Sequence, residues 1–149
     1  MTIGQSIACA ALALHINGTS FHHGGGGSYE YEERNWGAGV SCQARNGAIW
    51  SLDGFRDSYG DPSLYVYREW PLLGDFGSRV RLRVSTGLMY RRWTYDTHGW
   101  PLHPAVAPHL GIRATDRLAL DLSYIPPMDW GGEERGAGAV TLQLRYRLR

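Results

Sequence analysis

Six histidines and one Asp-Ser pair are the side chains of this 149-residue chain with the widest chemical reach. Three of the histidines share one segment, HINGTSFHH, as His15, His22 and His23; the others are His98, His103 and His109. An imidazole titrates near neutrality and so suits proton transfer. Asp57 and Ser58 fall in FRDSYGDP, and carboxylate, hydroxyl and imidazole together are the side-chain types of base-assisted acyl transfer. The same letters have a plainer meaning. Asp, Ser, Gly and Pro are the usual turn formers, and His-His ahead of a four-glycine run is a polar loop entry. A metal centre is a third use for grouped histidines, but alternation along a strand sends His22 and His23 to opposite faces, so no metal site is expected. The glycine run lacks the Lys-Ser/Thr and the helix of a phosphate loop and reads as a hairpin tip. No cofactor motif is present.

Lys plus Arg total 15 against 14 for Asp plus Glu, a net charge of +1 that disfavours nucleic-acid binding through the overall field. With 43% apolar and 19% charged residues the chain folds, and its length is that of a single domain, residues 1–149. Twenty glycines and 18 aromatics favour short strands and turns over helices. Cys9 and Cys42 match no zinc or thioredoxin spacing; free thiols and a single bridge both stay open. The N-terminal segment has no Lys or Arg before its apolar stretch and reads as a first strand, with no export signal. No apolar run reaches the roughly 18 residues of a membrane helix, whereas a membrane barrel needs only about ten alternating residues per strand.

Alternation is clearest in AVTLQLRYRLR, where Val140, Leu142, Leu144, Tyr146 and Leu148 oppose Thr141, Gln143, Arg145 and Arg147. It recurs where Val80, Leu82 and Val84 oppose Arg79, Arg81 and Arg83, and where Leu118, Leu120, Leu122 and Tyr124 oppose Ala119, Asp121 and Ser123. Weaker strands span about 7–22, 35–45, 47–57, 62–71 and 103–114. Asn46-Gly47 signals a hairpin of type I′. Longer joins fall near 24–33, 90–100 and 127–136. Short turns alternate with long loops, which predicts an all-β, eight-stranded antiparallel up-and-down β-barrel.

Periodicity does not say which face turns inward. The arginine rows suit a soluble surface or a charged lumen equally. Asp53, Asp57, Glu69 and Asp121 lie in or near strands and would neutralise arginines inside a narrow barrel. Trp50, Trp70, Tyr90, Trp93, Trp100, Tyr124 and Trp130 lie near strand ends, as the aromatic girdles of a membrane barrel do. These positions, together with the resemblance that follows, make membrane insertion the expectation over a soluble barrel.

YEERNWGAGVS (31–41) and GFRDSYGDPSLYVYREWPL (54–72) resemble the bacterial outer-membrane lipid A palmitoyltransferase family, which carries Y-N-E-R-P-W-G-G-G, F-K-D-S-W and a strand ending W-R-P-L. PAVAPHLGIRA (104–114) resembles its P-x-x-x-P strand and LALDLSYIP (118–126) its T-Y-I-P strand, so the likeness runs from about Leu14 to Leu148. It implies an eight-stranded outer-membrane barrel, a monomer, with an acyl-filled pocket that measures chain length. The activity implied is transfer of a palmitoyl chain from a phospholipid donor to lipid A, without cofactor. The family's rim Asp and Ser fall on Asp57 and Ser58, and its rim His falls best on His22, with His15 and His23 as competitors. On that reading His22 is the base, Asp57 orients it, and Ser58 donates to the oxyanion or attacks as nucleophile.

The sequence departs from the family in lacking its amphipathic N-terminal helix and in placing Asn35 where a gate proline stands. It also ends in Leu148-Arg149 rather than an aromatic residue. Pro104, Pro108 and Pro126 still predict one unpaired lateral gate, since proline brings no N–H to a ladder. The segments 15–22 and 57–65 also resemble short, signal-less barrel-like proteins of bacteriophages and prophages. A non-catalytic barrel with a structural or surface-modifying role is therefore the alternative function.

Overall fold

A computed structural model describes residues 9–24, 30–74, 78–91, 102–126 and 138–148. Eight strands form: β1 (Cys9–His23), β2 (Gly37–Ala44), β3 (Ile49–Arg56), β4 (Pro62–Leu73), β5 (Val80–Arg91), β6 (Leu102–Arg113), β7 (Leu118–Ile125) and β8 (Gly138–Arg147). Each pairs antiparallel with the next, and β8 returns to β1, closing the barrel in up-and-down order. The alternating segments thus become the strands expected of them. Closure pairs the first and last strands and so removes the two free edges of an open sheet, as crossing a bilayer requires. Short turns after β2, β4 and β6 mark one end, and the joins after β1, β3, β5 and β7 mark the other. His98, Trp93, Trp100, Trp130, the N-terminal residues 1–8 and glycines 25–27 lie outside the described residues.

Side-chain direction settles the question periodicity left open. Ile16, Leu64, Val66, Leu88, Val106 and Ile112 point outward and are exposed, whereas Arg81, Arg83, Arg145, Glu69 and Asp121 point inward and are buried. That is the reverse of a lipocalin-type barrel; water would face leucine while arginine sat inside. Lipid is the solvent this surface fits. Exposed aromatics gather at both ends: Trp50, Trp70 and Tyr146 near the short turns, and Phe21, Trp36, Tyr90 and Tyr124 near the long loops.

The inward charges form a closed ring. Arg83 pairs with Glu69 and, at 2.7 Å, with Asp121; Arg145 lies 2.8 Å from Glu69 and 2.9 Å from Asp121. Four strands, β4, β5, β7 and β8, are tied across the lumen by these pairs. Above the ring, His15 on β1 reaches over Gly39 on β2 to Asp53 on β3, at 2.9 Å. Only a residue without a side chain permits this, because a Cβ at Gly39 would stand 1.6 Å from Asp53 Oδ1. Asp53 also accepts from Tyr67 at 2.6 Å and from Gln143 at 3.2 Å.

Three local features differ from expectation or complete it. The Asn46-Gly47 turn closes as a bond from Gly47 N to Ala44 O at 2.9 Å, so Arg45 and Asn46 are its central residues and Gly47 follows them at φ 83°. This is the three-residue turn with a glycine bulge, not the two-residue type I′ form. Cys9 and Cys42 form a disulfide across the β1–β2 pair, which resolves the open choice in favour of a bridge. Finally, β1 carries a register shift against β8 between Asn17 and Thr19. Inward positions are Ala11, Ala13, His15 and Asn17 before the shift, and Ser20 and His22 after it.

Two ladders stop short at the long-loop end. β1 pairs with β2 only as far as Asn17↔Gly37, and β6 pairs with β7 only from Arg113↔Ala119 to His109↔Ser123. Continued register would next oppose Pro108 to Tyr124, and proline has no N–H to give. The expected gap beside Pro104 and Pro108 is therefore present between β6 and β7, while β6 stays paired with β5 along its whole length.

Glu69→Gln should remove one corner of the ring, leave guanidinium charge uncompensated, and lower unfolding stability by about 3–5 kcal/mol in urea titration of vesicle-inserted protein. Gly39→Ala should cost about 1–3 kcal/mol in the same titration through overpacking against Asp53, and an unchanged midpoint would contradict the His15–Gly39–Asp53 packing.

Candidate functional site

The three candidate histidines part company along and around the wall. His15 is buried at mid-barrel, with Nδ1 on Asp53 and Nε2 on Ser41 Oγ at 3.0 Å. This is a Ser-His-Asp arrangement in outline, buried in the wall, and neither His15 nor Ser41 lines the cavity described below. His23 faces outward and stacks on Tyr124 with ring centres 5.7 Å apart. His22 turns inward at the long-loop rim, where its Nε2 lies 2.7 Å from Ser58 Oγ. The register shift decides this choice: uninterrupted alternation would group His15 with His23 and put His22 on the lipid face.

Ser58 reaches His22 from the β3–β4 turn. That turn is built by Asp57, whose Oδ1 accepts from the backbone N–H of Tyr59 at 2.9 Å and of Asp61 at 3.0 Å. Its Oδ2 accepts from Ser63 Oγ at 3.1 Å and lies 3.5 Å from Arg91 Nε. The plainer reading of FRDSYGDP as a turn thus describes Asp57 well. The Asp57 carboxylate has no hydrogen bond to the imidazole among those described, and His22 Nδ1 has no hydrogen-bond partner among the described residues. Tyr31 positions the ring instead, stacked 4.7 Å from it at an interplanar angle of 12°. Tyr31 meets Tyr59 edge-on at 5.9 Å, and Arg91 lies 5.4 Å over Tyr59.

Residues 30–36 run beside the upper part of β1, on the side where its ladder with β2 has ended, and are clipped to both neighbours. The N–H of Ser20 and the hydroxyl of Thr19 both donate to Glu33 O, at 2.9 and 2.8 Å, and Glu32 N donates to Ser58 O at 2.8 Å. Asn35 completes the clip. Its Oδ1 accepts from Ser20 Oγ and its Nδ2 donates to Arg56 O at 3.0 Å. Asn35 therefore fastens β1 to β3 through side-chain bonds that a proline has no means of making.

Behind Ser58 lies a cavity of about 170 Å³ in the long-loop half of the barrel. Ser58 lines its long-loop end together with the buried Asn35 and Ser20, and His22 backs Ser58 from just outside the lining. Phe55, Met89, Ala105, Ala107, Ile125 and Ala139 are among its walls, and Tyr65 stacked on Tyr67 at 4.3 Å forms part of its floor. The floor is aromatic because Gly87 opposes Tyr67: a Cβ there would fall 2.6 Å from the Tyr67 Cα. Gly87 therefore makes room for Tyr67 and adds no depth to the cavity. His109 also lines it, with Nε2 on Ser85 at 2.7 Å and Nδ1 on Ser123 at 2.5 Å, both ring nitrogens engaged. Sequence reasoning gave His109 no role beyond a possible metal ligand, although inward parity with Ser123 across β6 and β7 was there to find.

Chemically, an imidazole on a serine hydroxyl at the end of a largely hydrocarbon cavity offers two arrangements. Neutral Nε2 accepts the Ser58 proton and activates Oγ; protonated Nε2 donates to Oγ and leaves the hydroxyl proton for an oxyanion.

Searches of family models and of curated proteins find no match. Among solved structures, the chain is similar to a de novo designed transmembrane β-barrel, with TM-score 0.62 and 11% identity over 95% of this chain and 98% of that one. It is also similar to the N-terminal β-barrel domain of OprF from Pseudomonas aeruginosa, with TM-score 0.56 and 10% identity over 93% and 97% of the two chains. The outer membrane protein Ail of Yersinia pestis gives TM-score 0.56 and 14% identity over 93% and 99%. At these identities the likeness is one of fold: this chain is an eight-stranded barrel of the outer-membrane type.

Proposed function

We propose that this chain is an outer-membrane acyltransferase that moves an acyl chain from a phospholipid to lipid A, with His22 and Ser58 as the reacting pair. The observation that carries the reading is the 2.7 Å contact of His22 Nε2 with Ser58 Oγ at the long-loop end of the cavity. A donor acyl chain enters sideways through the gap between β6 and β7 and lies against Phe55, Ala107 and Ile125. His22 takes the proton of the acceptor hydroxyl as that oxygen attacks the phospholipid ester carbonyl. Ser58 donates to the oxyanion, the ester C–O bond breaks, and His22 returns the proton to the departing lysophospholipid oxygen. Enclosure in a water-poor wall favours transfer to an alcohol over hydrolysis. The disulfide supports export to an oxidising compartment.

A second reading rests on Asp57, whose carboxylate serves its own turn, while His22 Nδ1 has no hydrogen-bond partner among the described residues. On that reading the barrel is non-catalytic and the rim pair is structural.

Folded protein incubated in detergent with phospholipid and lipid A should yield lipid A heavier by one acyl group and an equal amount of lysophospholipid, both read by mass spectrometry. His22→Ala and Ser58→Ala should each lower the rate by a factor on the order of 10² or more, whereas Asp57→Asn, which preserves the turn, should stay within about tenfold of the wild type. Folded wild-type protein that forms no product, or a His22→Ala variant as active as wild type, would leave only the non-catalytic barrel.

A further inference from the structure

Arg68 stands on the lipid-facing wall, where nothing else in the described strands carries a formal charge except Arg56 at the long-loop rim. Arg56 is accounted for by its bond to Gly60 O at 2.9 Å. Arg68 has no carboxylate partner among the described residues, and its buried Nε has no hydrogen-bond partner. Instead the guanidinium is held between two indoles, 3.8 Å from the Trp70 ring centre and 5.8 Å from that of Trp50. Trp70 is fixed in turn by donating from Nε1 to Thr86 Oγ1 at 2.9 Å.

Position along the barrel matters as much as the contacts. Trp50↔Arg68 is the second-last pair of the β3–β4 ladder at the short-turn end, so the group sits at that end's aromatic girdle. A cation on an apolar wall is costly at the bilayer midplane, and the cost falls away near the interface. Stacked indoles hold the guanidinium there but offer no acceptor to its N–H donors, and the Nε is left without a partner. In this location the acceptor with matching charge and geometry is a phosphate, which takes a guanidinium fork bidentately.

We propose that Arg68, Trp50 and Trp70 form a phospholipid-headgroup site on the outer wall, at the leaflet adjoining the short turns. Arg68 binds the headgroup phosphate, the indoles flank the glycerol region, and Leu52, Val66 and Val84 lie against the acyl chains. The site is at the opposite end of the barrel from His22 and Ser58, so it holds a resident lipid and not the acyl donor.

Native mass spectrometry of the full, disulfide-bonded chain in detergent tests it, with dioleoylphosphatidylglycerol, dioleoylglycerol and inorganic phosphate as separate probes. Wild type should retain one phosphatidylglycerol, with little retention of the phosphate-free diacylglycerol and no displacement by millimolar phosphate. Arg68→Gln should weaken that retention roughly tenfold and Arg68→Lys by less, while gel mobility without heating reports that both variants are folded. Equal retention by wild type and Arg68→Gln, or equal binding of diacylglycerol, would overturn the site. Phosphate displacing the lipid outright would overturn its assignment to a membrane lipid.

Discussion

Eight strands enclose a lumen just wide enough for side chains, and this one is filled with groups that water would otherwise solvate. Every buried charge must therefore find its complement within the wall's own inward rows. Glu69, Arg83, Asp121 and Arg145 solve the problem as an alternating ring, each carboxylate touching both guanidiniums. Such a ring contributes little net energy, since desolvation offsets most of the attraction, but it tolerates one arrangement and penalises all others. It ties β4, β5, β7 and β8 to one another across the lumen.

The inward glycines are part of the same solution. Gly39 lets His15 reach Asp53, Gly87 receives Tyr67, and Gly111 leaves room for Asp121, whose Oδ1 would be 2.6 Å from a Cβ there. Large and small residues thus alternate around the lumen until Tyr65 and Tyr67 cap the packed half. Above them Ala105, Ala107 and Ala139 are too small to meet in the middle, and the cavity opens. A rigid, plugged half and a hollow half give the rim residues a fixed base and a space to act on. The two interrupted ladders lie in the hollow half, where no ring of charges binds the strands.

Much of the fold was legible because a half-buried strand writes its period into the chain, as Val140 to Arg147 and Val80 to Val84 do. What alternation does not encode is the identity of the solvent, since leucine opposite arginine reads the same whether lipid lies outside or within. The charges of Glu69 and Asp121, set against the arginine rows, were the usable hint. The extra residue near Gly18 was invisible, and with it the inward turn of His22; the resemblance to the acyltransferase motifs, not parity, singled that histidine out. The bridge between Cys9 and Cys42 depends on β1–β2 register, which a spacing of 33 residues does not reveal. A carboxylate beside a serine looks like a catalytic pair in sequence, whereas the contacts of Asp57 are the backbone N–H groups two and four residues on, the Ser63 hydroxyl and Arg91, none of which sequence spacing announces.

The central claim is that lipid wets the leucine side of this sheet and that the arginine side is sealed within. Single nitroxide labels at Val66→Cys and Leu110→Cys, in protein reconstituted into phospholipid vesicles, test it most directly, the native cysteines being occupied by their disulfide. Both labels should be relaxed strongly by dissolved oxygen and weakly by a water-soluble nickel complex. Strong relaxation by the nickel complex at both positions would mean that water covers this face, and the barrel would then be a soluble one.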